Sequence, residues 1–312
     1  MSWQSFLLNG MLRLVLKSQG NKPINLARIR ANTAKPPRRA LRIPDGISVT
    51  EVEGDNGLRY DLIDQAAPRA KAPDTVILYL HGGGYFFGSP RTHRQAIIGV
   101  SRACGAPAYG LFYRLAPEHP FPAAVEDAAH AYRWVQARHP GAKIILAGDS
   151  AGGGLSIVTA LGARAAGLPM PLGLICYSPW TDLAVTGASV DANAKSCAMF
   201  TPGGVRRGAV LYLSTTDPRE PRASPLYADL TGLPPILLFA SRQEILLDDT
   251  LRFAEKAKKQ GVDVTLILRD RMPHVWPIFV HLLPEAREAM RDVAAFARKI
   301  GVASALAPPA KA

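Results

Sequence analysis

Residues 146–155 read LAGDSAGGGL and place Ser150 between two glycines in the spacing G-x-S-x-G. The residues KIILAG at 143–148 are almost all apolar, which predicts a strand buried on both faces of a sheet. The residues that follow, AGGGLSIVTALGARAAG, predict a helix that ends at Gly167. A serine on a tight turn between a strand and a helix is the context of a nucleophile elbow, so we predict Ser150 as a nucleophile on a strained turn. The N-terminus of the helix behind it favours negative charge that develops there.

The rest of the chain predicts a sheet in which strands and helices alternate. Two β-like runs at 47–53 and 58–64 flank the sequence GDNG at 54–57, which is a strong hairpin turn. Further strands are predicted at 75–80, 106–113, 143–148, 172–178, 235–241 and 264–269. Helices are predicted at 122–138, 151–167, 248–261 and 285–301. This alternation indicates an α/β fold with a mostly parallel central sheet and helices on both of its faces.

The length of the chain and the breaks in this alternation indicate the domain organisation. A chain of 312 residues with 48% hydrophobic residues is long enough for one large core with an appended cap. Residues 180–225 are rich in Gly, Pro and small residues and do not fit the alternation, so we expect an insertion that covers the functional edge of the sheet. We divide the chain into an N-terminal arm, the first part of the main domain, the insertion, the second part of the main domain and a tail that we expect to be disordered. The bounds are, in that order, 1–45, 46–179, 180–225, 226–302 and 303–312.

The positive charge of the chain is concentrated in the N-terminal arm. The formal net charge is +12, and residues 1–45 carry nine lysines and arginines but one acidic residue. No nucleic-acid-binding motif accompanies this charge, so nucleic acid is not expected as a partner. Residues 6–16, FLLNGMLRLVL, have apolar side chains at helical spacing and are too few to span a bilayer. They predict either a helix packed on the body of the protein or an interfacial helix that lets residues 1–30 touch a membrane surface weakly.

The cysteines and histidines do not indicate a disulfide framework or a metal site. Three cysteines stand far apart in the sequence, which is typical of a reducing compartment and favours a cytoplasmic location. No secretory cleavage site follows the N-terminal apolar run. The seven histidines form no H-x-x-x-H pair and no His/Cys cluster with metal-ligand spacing. We therefore expect no metal and no cofactor.

A second glycine-rich stretch, YLHGGGYFFGS at 79–89, also follows a buried strand. Its consecutive glycines leave backbone N–H groups unobstructed, as the oxyanion of a tetrahedral intermediate requires. The candidate donors are the N–H groups of Gly82, Gly83 and Gly84, and the N–H of Ala151, the residue after the candidate nucleophile, would complete the oxyanion hole. Four aromatic residues near these stretches can either shape a substrate pocket or belong to the core: Tyr85, Phe86, Phe87 and Trp276.

A general base is expected in a loop after the last strand. His274, in RMPHVWP, lies five residues beyond the strand predicted at 264–269. His281 lies in the apolar stretch that follows this loop and reads as helical. We therefore predict His274 as the base.

An acid is expected after a strand that lies between the serine and the histidine in the chain. The stretch RQEILLDDT follows the strand predicted at 235–241 and offers Glu244 in the loop, with Asp248 as the alternative nearer the next helix. We favour Glu244. The chain order Ser150, Glu244, His274 is the order of nucleophile, acid and base in α/β-hydrolases.

Three motifs of this sequence together resemble the hormone-sensitive lipase family of α/β-hydrolases, particularly its microbial esterases: HGGG at 81–84, YRLAPEHPFPAAVED at 113–127 and GDSAGGG at 148–154. The shorter motifs PWTD at 179–182 and HVW at 274–276 extend the resemblance over roughly residues 45–300. The resemblance implies an eight-stranded hydrolase sheet with a helical cap built from the N-terminal arm and an insertion after the SPW strand. It also implies hydrolysis of small-molecule carboxylic esters of short to medium chain through an acyl-enzyme, without a cofactor, and often a homodimer.

The same resemblance assigns site residues one by one. It makes Ser150 the nucleophile and His274 the base, and it gives the oxyanion hole the N–H groups of Gly82, Gly83 and Ala151. The acid position falls on Glu244, where many relatives have aspartate. Glutamate is longer by one methylene, so the resemblance requires this loop to sit slightly further back from the histidine.

Two alternatives to ester hydrolysis stay open at the level of the sequence. The same nucleophile, base and acid also serve amidases, deacetylases and acyltransferases. The plant gibberellin receptors resemble this family but lack the catalytic histidine, so a ligand-binding protein without catalysis is the other alternative. The presence of His274 favours an enzyme.

Overall fold

A mixed sheet of eight strands forms the centre of the fold. The structure is a computed structural model that describes residues 2–20, 22–34, 42–67 and 71–306. The strands are β1 Ile47–Glu53, β2 Arg59–Gln65, β3 Thr75–Leu80, β4 Ala108–Phe112, β5 Lys143–Asp149, β6 Gly173–Tyr177, β7 Ile236–Ser241 and β8 Val264–Arg269. They lie in the order β1-β2-β4-β3-β5-β6-β7-β8. Strand β2 is antiparallel to β1 and β4, and β3 to β8 run parallel. The prediction of an α/β fold with a mostly parallel sheet is confirmed.

The strand boundaries follow the predicted runs closely, because the turn residues and the apolar runs that predict them are local features of the sequence. The turn between β1 and β2 is a short 3-10 segment, Asp55–Gly57, in which Asn56 adopts a left-handed conformation with φ 57°. Asparagine and glycine tolerate that conformation, which is why GDNG predicts the hairpin. Every residue of β3 and of β7 is buried, as expected of strands covered on both faces.

Helices cover both faces of the sheet. They are α1 Trp3–Val15, α2 Leu26–Ala34, α3 Arg94–Cys104, α4 Ala123–Arg138, α5 Ala151–Ala165, α6 Ser189–Ala192, α7 Pro202–Leu213, α8 Leu247–Lys259 and α9 Pro284–Lys299. Alternate residues of the strands point to opposite faces. Leu78 belongs to one apolar cluster with residues of α4, α5 and α8, and Tyr79 belongs to a second cluster with residues of α3, α9 and α1. No helix in the described part of the chain is long and apolar enough to cross a bilayer.

Helices α2, α3, α6 and α7 are not among the elements predicted one by one from the sequence. The residue before α3, His93, makes no side-chain capping hydrogen bond, and the first turn of α3 carries no acidic residue. The usual signals for the start of a helix are therefore missing there. Helix α7 does carry a start signal that the prediction did not use: the Thr201 side chain accepts a hydrogen bond from the Gly204 N–H, and a proline follows at the first helical position.

The segment between β6 and β7 carries α6 and α7, and the N-terminal arm lies against it. The Thr201 hydroxyl donates to the Gly20 carbonyl at 2.9 Å, and Lys17 Nζ donates to the Cys197 carbonyl at 2.7 Å. An arm and an insertion that contact each other are what the predicted cap requires. The domain boundaries themselves stay predictions.

The start of the predicted disordered tail at 303–312 is attached to the protein. Ser304 Oγ donates to the Cys104 carbonyl at 2.9 Å, and the Leu306 N–H donates to the Ala103 carbonyl at 3.0 Å. The prediction of disorder is therefore wrong for residues 304–306, because the end of α3 offers them backbone carbonyls. Residues 307–312 lie outside the described part of the chain.

Candidate active site

Ser150 lies on a strained turn between β5 and α5. Its backbone has φ 52° and ψ −120°, a conformation that a residue with a side chain rarely adopts. The Ser150 N–H donates to the Tyr177 carbonyl at 2.8 Å, and the Trp180 N–H donates to the Ser150 carbonyl at 2.9 Å. These bonds hold the turn at the carboxyl edge of the sheet, where sites of open α/β sheets form. The Ser150 side chain makes no capping bond to α5, so its hydroxyl is not committed to the helix.

The two glycines of the G-x-S-x-G motif are required by close backbone approaches. A Cβ atom at Gly148 would lie 2.4 Å from the Gly152 carbonyl oxygen. A Cβ atom at Gly152 would lie 2.0 Å from the Leu80 carbonyl oxygen on β3. Both distances are well inside van der Waals contact, so any side chain at these positions would push α5 away from the sheet and displace the turn.

His274 and Glu244 form a buried pair. His274 Nδ1 lies 2.6 Å from Glu244 Oε2, and the two residues are 2% and 1% exposed. The Ser241 N–H donates to the other carboxylate oxygen of Glu244 at 3.2 Å, which fixes the orientation of the carboxylate. His274 Nε2 is buried and has no hydrogen-bond partner among the described residues. The ring therefore presents its second nitrogen as a free acceptor, which a base requires.

The loop of His274 and the turn of Ser150 contact the same end of β6. The Ser150 N–H bonds the carbonyl of Tyr177, the last residue of β6. The Val275 N–H donates at 3.1 Å to the hydroxyl of Ser178, the next residue along the chain. The turn that carries Ser150 and the loop that carries His274 are therefore both anchored to the end of β6.

The alternative acid, Asp248, serves another purpose. Its carboxylate accepts a hydrogen bond from the Ser189 N–H at 2.9 Å, and the Asp248 N–H donates to the Ser189 hydroxyl at 2.9 Å. Asp248 therefore joins α8 to the start of α6 in the insertion. Of the two acids left open by the sequence, Glu244 is the one in contact with His274.

The PWTD motif is anchored by a buried acid on α8. The Asp249 carboxylate accepts hydrogen bonds from the N–H groups of Thr181 and Asp182 at 2.9 and 2.8 Å. Burial raises the pKa of Asp249 well above its usual range, and the neighbouring Asp182 carboxylate adds to this shift. Asp248 and Asp249 therefore both attach the insertion to the body of the protein.

The glycine-rich loop after β3 offers backbone donors beside the nucleophile turn. The Gly82 N–H already donates to Asp149 Oδ1 at 3.1 Å, so in this geometry it is not free for an oxyanion. The N–H groups of Gly83, Gly84 and Ala151 have no acceptor among the described residues. The structure therefore differs from the sequence prediction at Gly82, because a carboxylate that the motif does not reveal occupies that donor.

In the described part of the chain, no group of three or more His, Cys, Asp or Glu side chains could hold a metal ion.

Comparison with known proteins identifies the family. A family model described as alpha/beta hydrolase fold matches residues 77–278. An acetyl-hydrolase of Streptomyces hygroscopicus is 44% identical over 231 residues, which cover 73% of this chain and 77% of that protein. An esterase of Acinetobacter venetianus is 37% identical over 236 residues, which cover 74% of this chain and 78% of that protein. The crystal structure of an esterase from the bacterial hormone-sensitive lipase family is 40% identical, covers 96% of this chain and 99% of its own, and has a TM-score of 0.86.

This chain belongs to the hormone-sensitive lipase family of α/β-hydrolases. It is a carboxylic ester hydrolase, as the esterases and carboxylesterases among its relatives show. The predictions of family, fold and enzyme class from the three motifs are therefore confirmed. The roles of individual residues stay proposals.

This hydrolase has a buried contact between a histidine and a carboxylate behind its candidate oxyanion loop, which the sequence did not reveal. His93 Nε2 lies 3.3 Å from Asp149 Oδ2, and the same carboxylate accepts hydrogen bonds from the Tyr79 hydroxyl and the Gly82 N–H. Burial opposes charge on both partners, but each stabilises the charged form of the other. The Asp149 carboxylate therefore raises the pKa of His93, and His93 lowers the pKa of Asp149. Asp149 is the residue before the nucleophile, and it thus links the nucleophile turn to the glycine loop.

We expect His93→Ala to destabilise the protein by about 3 kcal/mol, because it leaves the Asp149 carboxylate buried without its cation. The loss should depend on pH. A raised folded-state pKa of His93 stabilises the protein below the ordinary histidine pKa, and this contribution is lost as the pH rises through the raised value. The lowered pKa of Asp149 sets the acidic limit, since its contribution is lost as the pH falls through that value. The free-energy difference between wild type and His93→Ala should therefore shrink at alkaline pH.

Urea unfolding of both proteins across this pH range measures the difference. His93→Gln keeps an N–H donor without the charge and should recover part of the stability. His119→Ala, at the exposed histidine that ends the motif YRLAPEH, is the control and should change stability by less than about 0.5 kcal/mol. A His93→Ala loss that is equal at all pH values would contradict the ion-pair interpretation.

Aromatic side chains gather between the glycine loop and the insertion of this hydrolase. The Tyr85 ring stacks on the Tyr212 ring of α7 with a centroid distance of 3.8 Å and an interplanar angle of 10°. A Cβ atom at Gly208 of α7 would lie 3.1 Å from the Phe86 ring and 3.7 Å from the Trp180 ring. Because the Trp180 backbone bonds the Ser150 carbonyl, this aromatic cluster adjoins the nucleophile turn.

The other two candidate pocket residues differ from each other. The Phe87 ring lies 5.2 Å from the Phe86 ring and is half-buried beside the aromatic cluster. Trp276 is fully buried and packs edge-to-face on Phe239 at 5.7 Å, in the core on the side of α3 and α9. The structure therefore places Trp276 in the core and not at a pocket, although it is close to His274 in the sequence.

Proposed function

We propose that this hydrolase cleaves carboxylic esters of short to medium chain through an acyl-enzyme intermediate, with Ser150 as nucleophile, His274 as general base and Glu244 as the acid. The observation that carries the proposal is the buried 2.6 Å contact between His274 Nδ1 and Glu244 Oε2, with Nε2 of the same ring left without a partner. A histidine held in this way keeps the tautomer that accepts a proton at Nε2.

The proposed reaction proceeds in two halves. The Ser150 oxygen attacks the ester carbonyl carbon, its proton passes to His274 Nε2, and the carbonyl electron pair moves onto the oxygen. The tetrahedral intermediate collapses as the bond to the alkoxy oxygen breaks, and His274 returns the proton to the leaving alcohol. Water then attacks the acyl-enzyme with the same proton transfers and releases the carboxylic acid. Glu244 accepts the Nδ1 hydrogen throughout and stabilises the imidazolium.

The oxyanion of each intermediate requires backbone donors beside Ser150. We assign this role to the N–H groups of Gly83, Gly84 and Ala151, because they have no acceptor among the described residues. The Gly82 N–H donates to Asp149, and this hydrogen bond holds the loop in place. This assignment replaces Gly82, in the set that the family resemblance implies, with Gly84.

The aromatic cluster supports a small acyl pocket. Phe86, Trp180 and Tyr212 are each less than one-tenth exposed. Phe86 and Trp180 lie next to Gly208 of α7, and Tyr212 of the same helix stacks on Tyr85. Rings packed in this way leave little room for a long acyl chain. The relative from Streptomyces hygroscopicus is named an acetyl-hydrolase, which agrees with a small acyl group.

A series of p-nitrophenyl esters tests the pocket. We expect kcat/KM to be highest for acetate to hexanoate and to fall at decanoate. Phe86→Ala removes the ring that faces Gly208 and should raise the ratio of kcat/KM for decanoate to that for butyrate by roughly tenfold, since each buried methylene contributes about 1–3 kcal/mol. Phe112→Ala, at a half-buried phenylalanine at the end of β4, is the matched control and should leave the ratio unchanged. An unchanged ratio in Phe86→Ala would remove Phe86 from the acyl pocket.

The same assays discriminate the alternative reactions. A butyranilide hydrolysed faster than the matching butyrate ester would identify an amidase, and transfer of the acyl group to an added alcohol in preference to water would identify an acyltransferase. The homodimer and the cytoplasmic location remain predictions, which light scattering and cell fractionation can check.

A further inference from the structure

The outer face of α1 is apolar and open to solvent. Six large hydrophobic side chains of this helix are each more than half exposed: Trp3 70%, Phe6 68%, Leu7 57%, Met11 52%, Leu14 78% and Val15 60%. They recur at helical spacing, so they form one continuous face and not scattered contacts. Contiguous exposed apolar faces of this kind mark interaction sites.

The orientation of α1 is fixed, so this face cannot turn inward. The opposite side of the helix is buried on the protein through Ser5, Leu8 and Leu12. At its start, Ser2 donates to the carboxylate of Glu285 through its N–H at 2.6 Å and its hydroxyl at 2.9 Å. Near its middle, the Asn9 amide donates to the Arg271 carbonyl at 2.9 Å.

Basic side chains without a carboxylate partner among the described residues border the apolar face. Residues 1–44 contain no acidic residue. Arg13 and Lys17 donate to the backbone carbonyls of Ser196 and Lys195 at 2.8 and 3.0 Å, and neither forms an ion pair with a carboxylate of the described residues. Lys195 and Arg271 are exposed, and their backbone carbonyls accept the hydrogen bonds of Lys17 and Asn9.

We propose that this face of α1 docks the protein on an anionic lipid surface, with the apolar side chains in the interface and the bordering cations on the headgroups. An apolar face flanked by basic residues is the pattern of an interfacial helix. A second copy of this chain is a poorer occupant, because it would bring another α1 without acidic residues against the same cations. Helix α1 lies on the cap segment at 195–197 and on the loop that carries His274, so docking would present this side of the active site to the lipid.

Trp3 provides an intrinsic probe of this docking. The chain has four tryptophans, and the other three, Trp134, Trp180 and Trp276, are 9%, 4% and 0% exposed. Insertion of α1 into a bilayer surface should therefore shift the emission of Trp3 to shorter wavelength while the other three stay constant. The experiment titrates the full-length protein with vesicles of phosphatidylcholine and phosphatidylglycerol in a 3:1 ratio and with vesicles of phosphatidylcholine alone, and measures both emission and co-sedimentation.

Variants separate the two parts of the surface. The double variant Phe6→Ser/Leu14→Ser should weaken binding to the anionic vesicles by roughly tenfold or more. Lys17→Gln should weaken it by about fivefold, since one cation near an anionic surface contributes about that much. Val210→Ser, at a 68% exposed apolar residue on α7 outside this face, is the control and should bind as wild type does. Trp3→Phe should bind but lose the emission shift. All variants should hydrolyse p-nitrophenyl butyrate in solution at the wild-type rate.

Salt-sensitive binding to the anionic vesicles, lost in the double variant and kept in Val210→Ser, supports the proposal. Three outcomes overturn it: no binding to the anionic vesicles, equal binding to phosphatidylcholine alone, or a dimer in light scattering that Phe6→Ser/Leu14→Ser dissociates. The last outcome would show that a second copy covers the face. Because catalysis is measured separately in solution, none of these results depends on the proposed triad.

Discussion

Replacing Ser150 by alanine is expected to abolish hydrolysis of p-nitrophenyl butyrate while the protein stays folded. The substitution removes the oxygen that would form the acyl-enzyme, and loss of a nucleophile of this kind lowers kcat by about 10⁴–10⁶-fold. The Ser150 side chain makes no capping bond to α5, and alanine keeps a Cβ atom on the same strained backbone. The free energy of unfolding should therefore change by less than about 1 kcal/mol. Steady-state kinetics and urea unfolding of the same preparation measure both quantities.

Ser156→Ala is the matched control for this substitution. Ser156 is a buried serine on the same helix, and its hydroxyl donates to the Gly152 carbonyl at 2.8 Å. We expect this variant to keep its activity within a few-fold and to react with a fluorophosphonate probe, which Ser150→Ala should not do. Turnover by Ser150→Ala near the wild-type rate, in protein from a host without other esterases, would show that another residue is the nucleophile.

The elements that position Ser150 could be predicted because their signals lie close together in the sequence. An apolar run, a glycine-serine-glycine turn and a helix follow one another between residues 143 and 167, and the structure has β5, the strained turn and α5 there. The same holds for the hairpin of β1 and β2, which four turn residues determine. Helix α3 could not be found in this way, because it begins without a capping side chain or an acidic first turn.

The contacts that complete the site could be predicted only in part, because they join distant segments. Glu244 and Asp248 are four residues apart, and the sequence favours Glu244 only through its place in the loop before the next helix. The structure adds the contact of Glu244 with His274 and the packing of α8 on the insertion, which commits Asp248 to Ser189.

The Gly82 donor and the His93–Asp149 pair illustrate the same limit. A glycine-rich motif predicts free N–H groups, but it does not reveal a carboxylate on the neighbouring strand that accepts one of them. His93 lies at the start of an unpredicted helix, so nothing in the sequence placed its ring beside Asp149. Sequence patterns therefore predicted which loops form the site, whereas the hydrogen bonds between the loops required the structure.

Glu244→Gln is expected to lower kcat for p-nitrophenyl butyrate by about 10³–10⁴-fold with little change in KM. Glutamine has nearly the same shape as glutamate, so the Ser241 contact and the packing of the loop should persist. It lacks the negative charge that stabilises the imidazolium of His274, and its amide can donate to Nδ1, which would select the wrong tautomer. Because the substrate does not touch this carboxylate in the proposed mechanism, the loss should appear in kcat. Glu244→Asp should retain more activity than Glu244→Gln, since it keeps the charge and gives up only the 2.6 Å contact.

Asp248→Asn makes the same chemical change four residues away and therefore tests the choice between the two acids. Its carboxylate bonds Ser189 of the insertion, so we expect a lower free energy of unfolding, by about 1–2 kcal/mol, and a kcat within about threefold of wild type. The two variants thus separate a residue that acts on His274 from one that attaches the cap. If Asp248→Asn lost the activity and Glu244→Gln kept it, the acid would be Asp248, and the buried contact of Glu244 with His274 would be a bond that only holds the loop. The pair of measurements decides this point because each substitution removes one charge and leaves the size of the side chain unchanged.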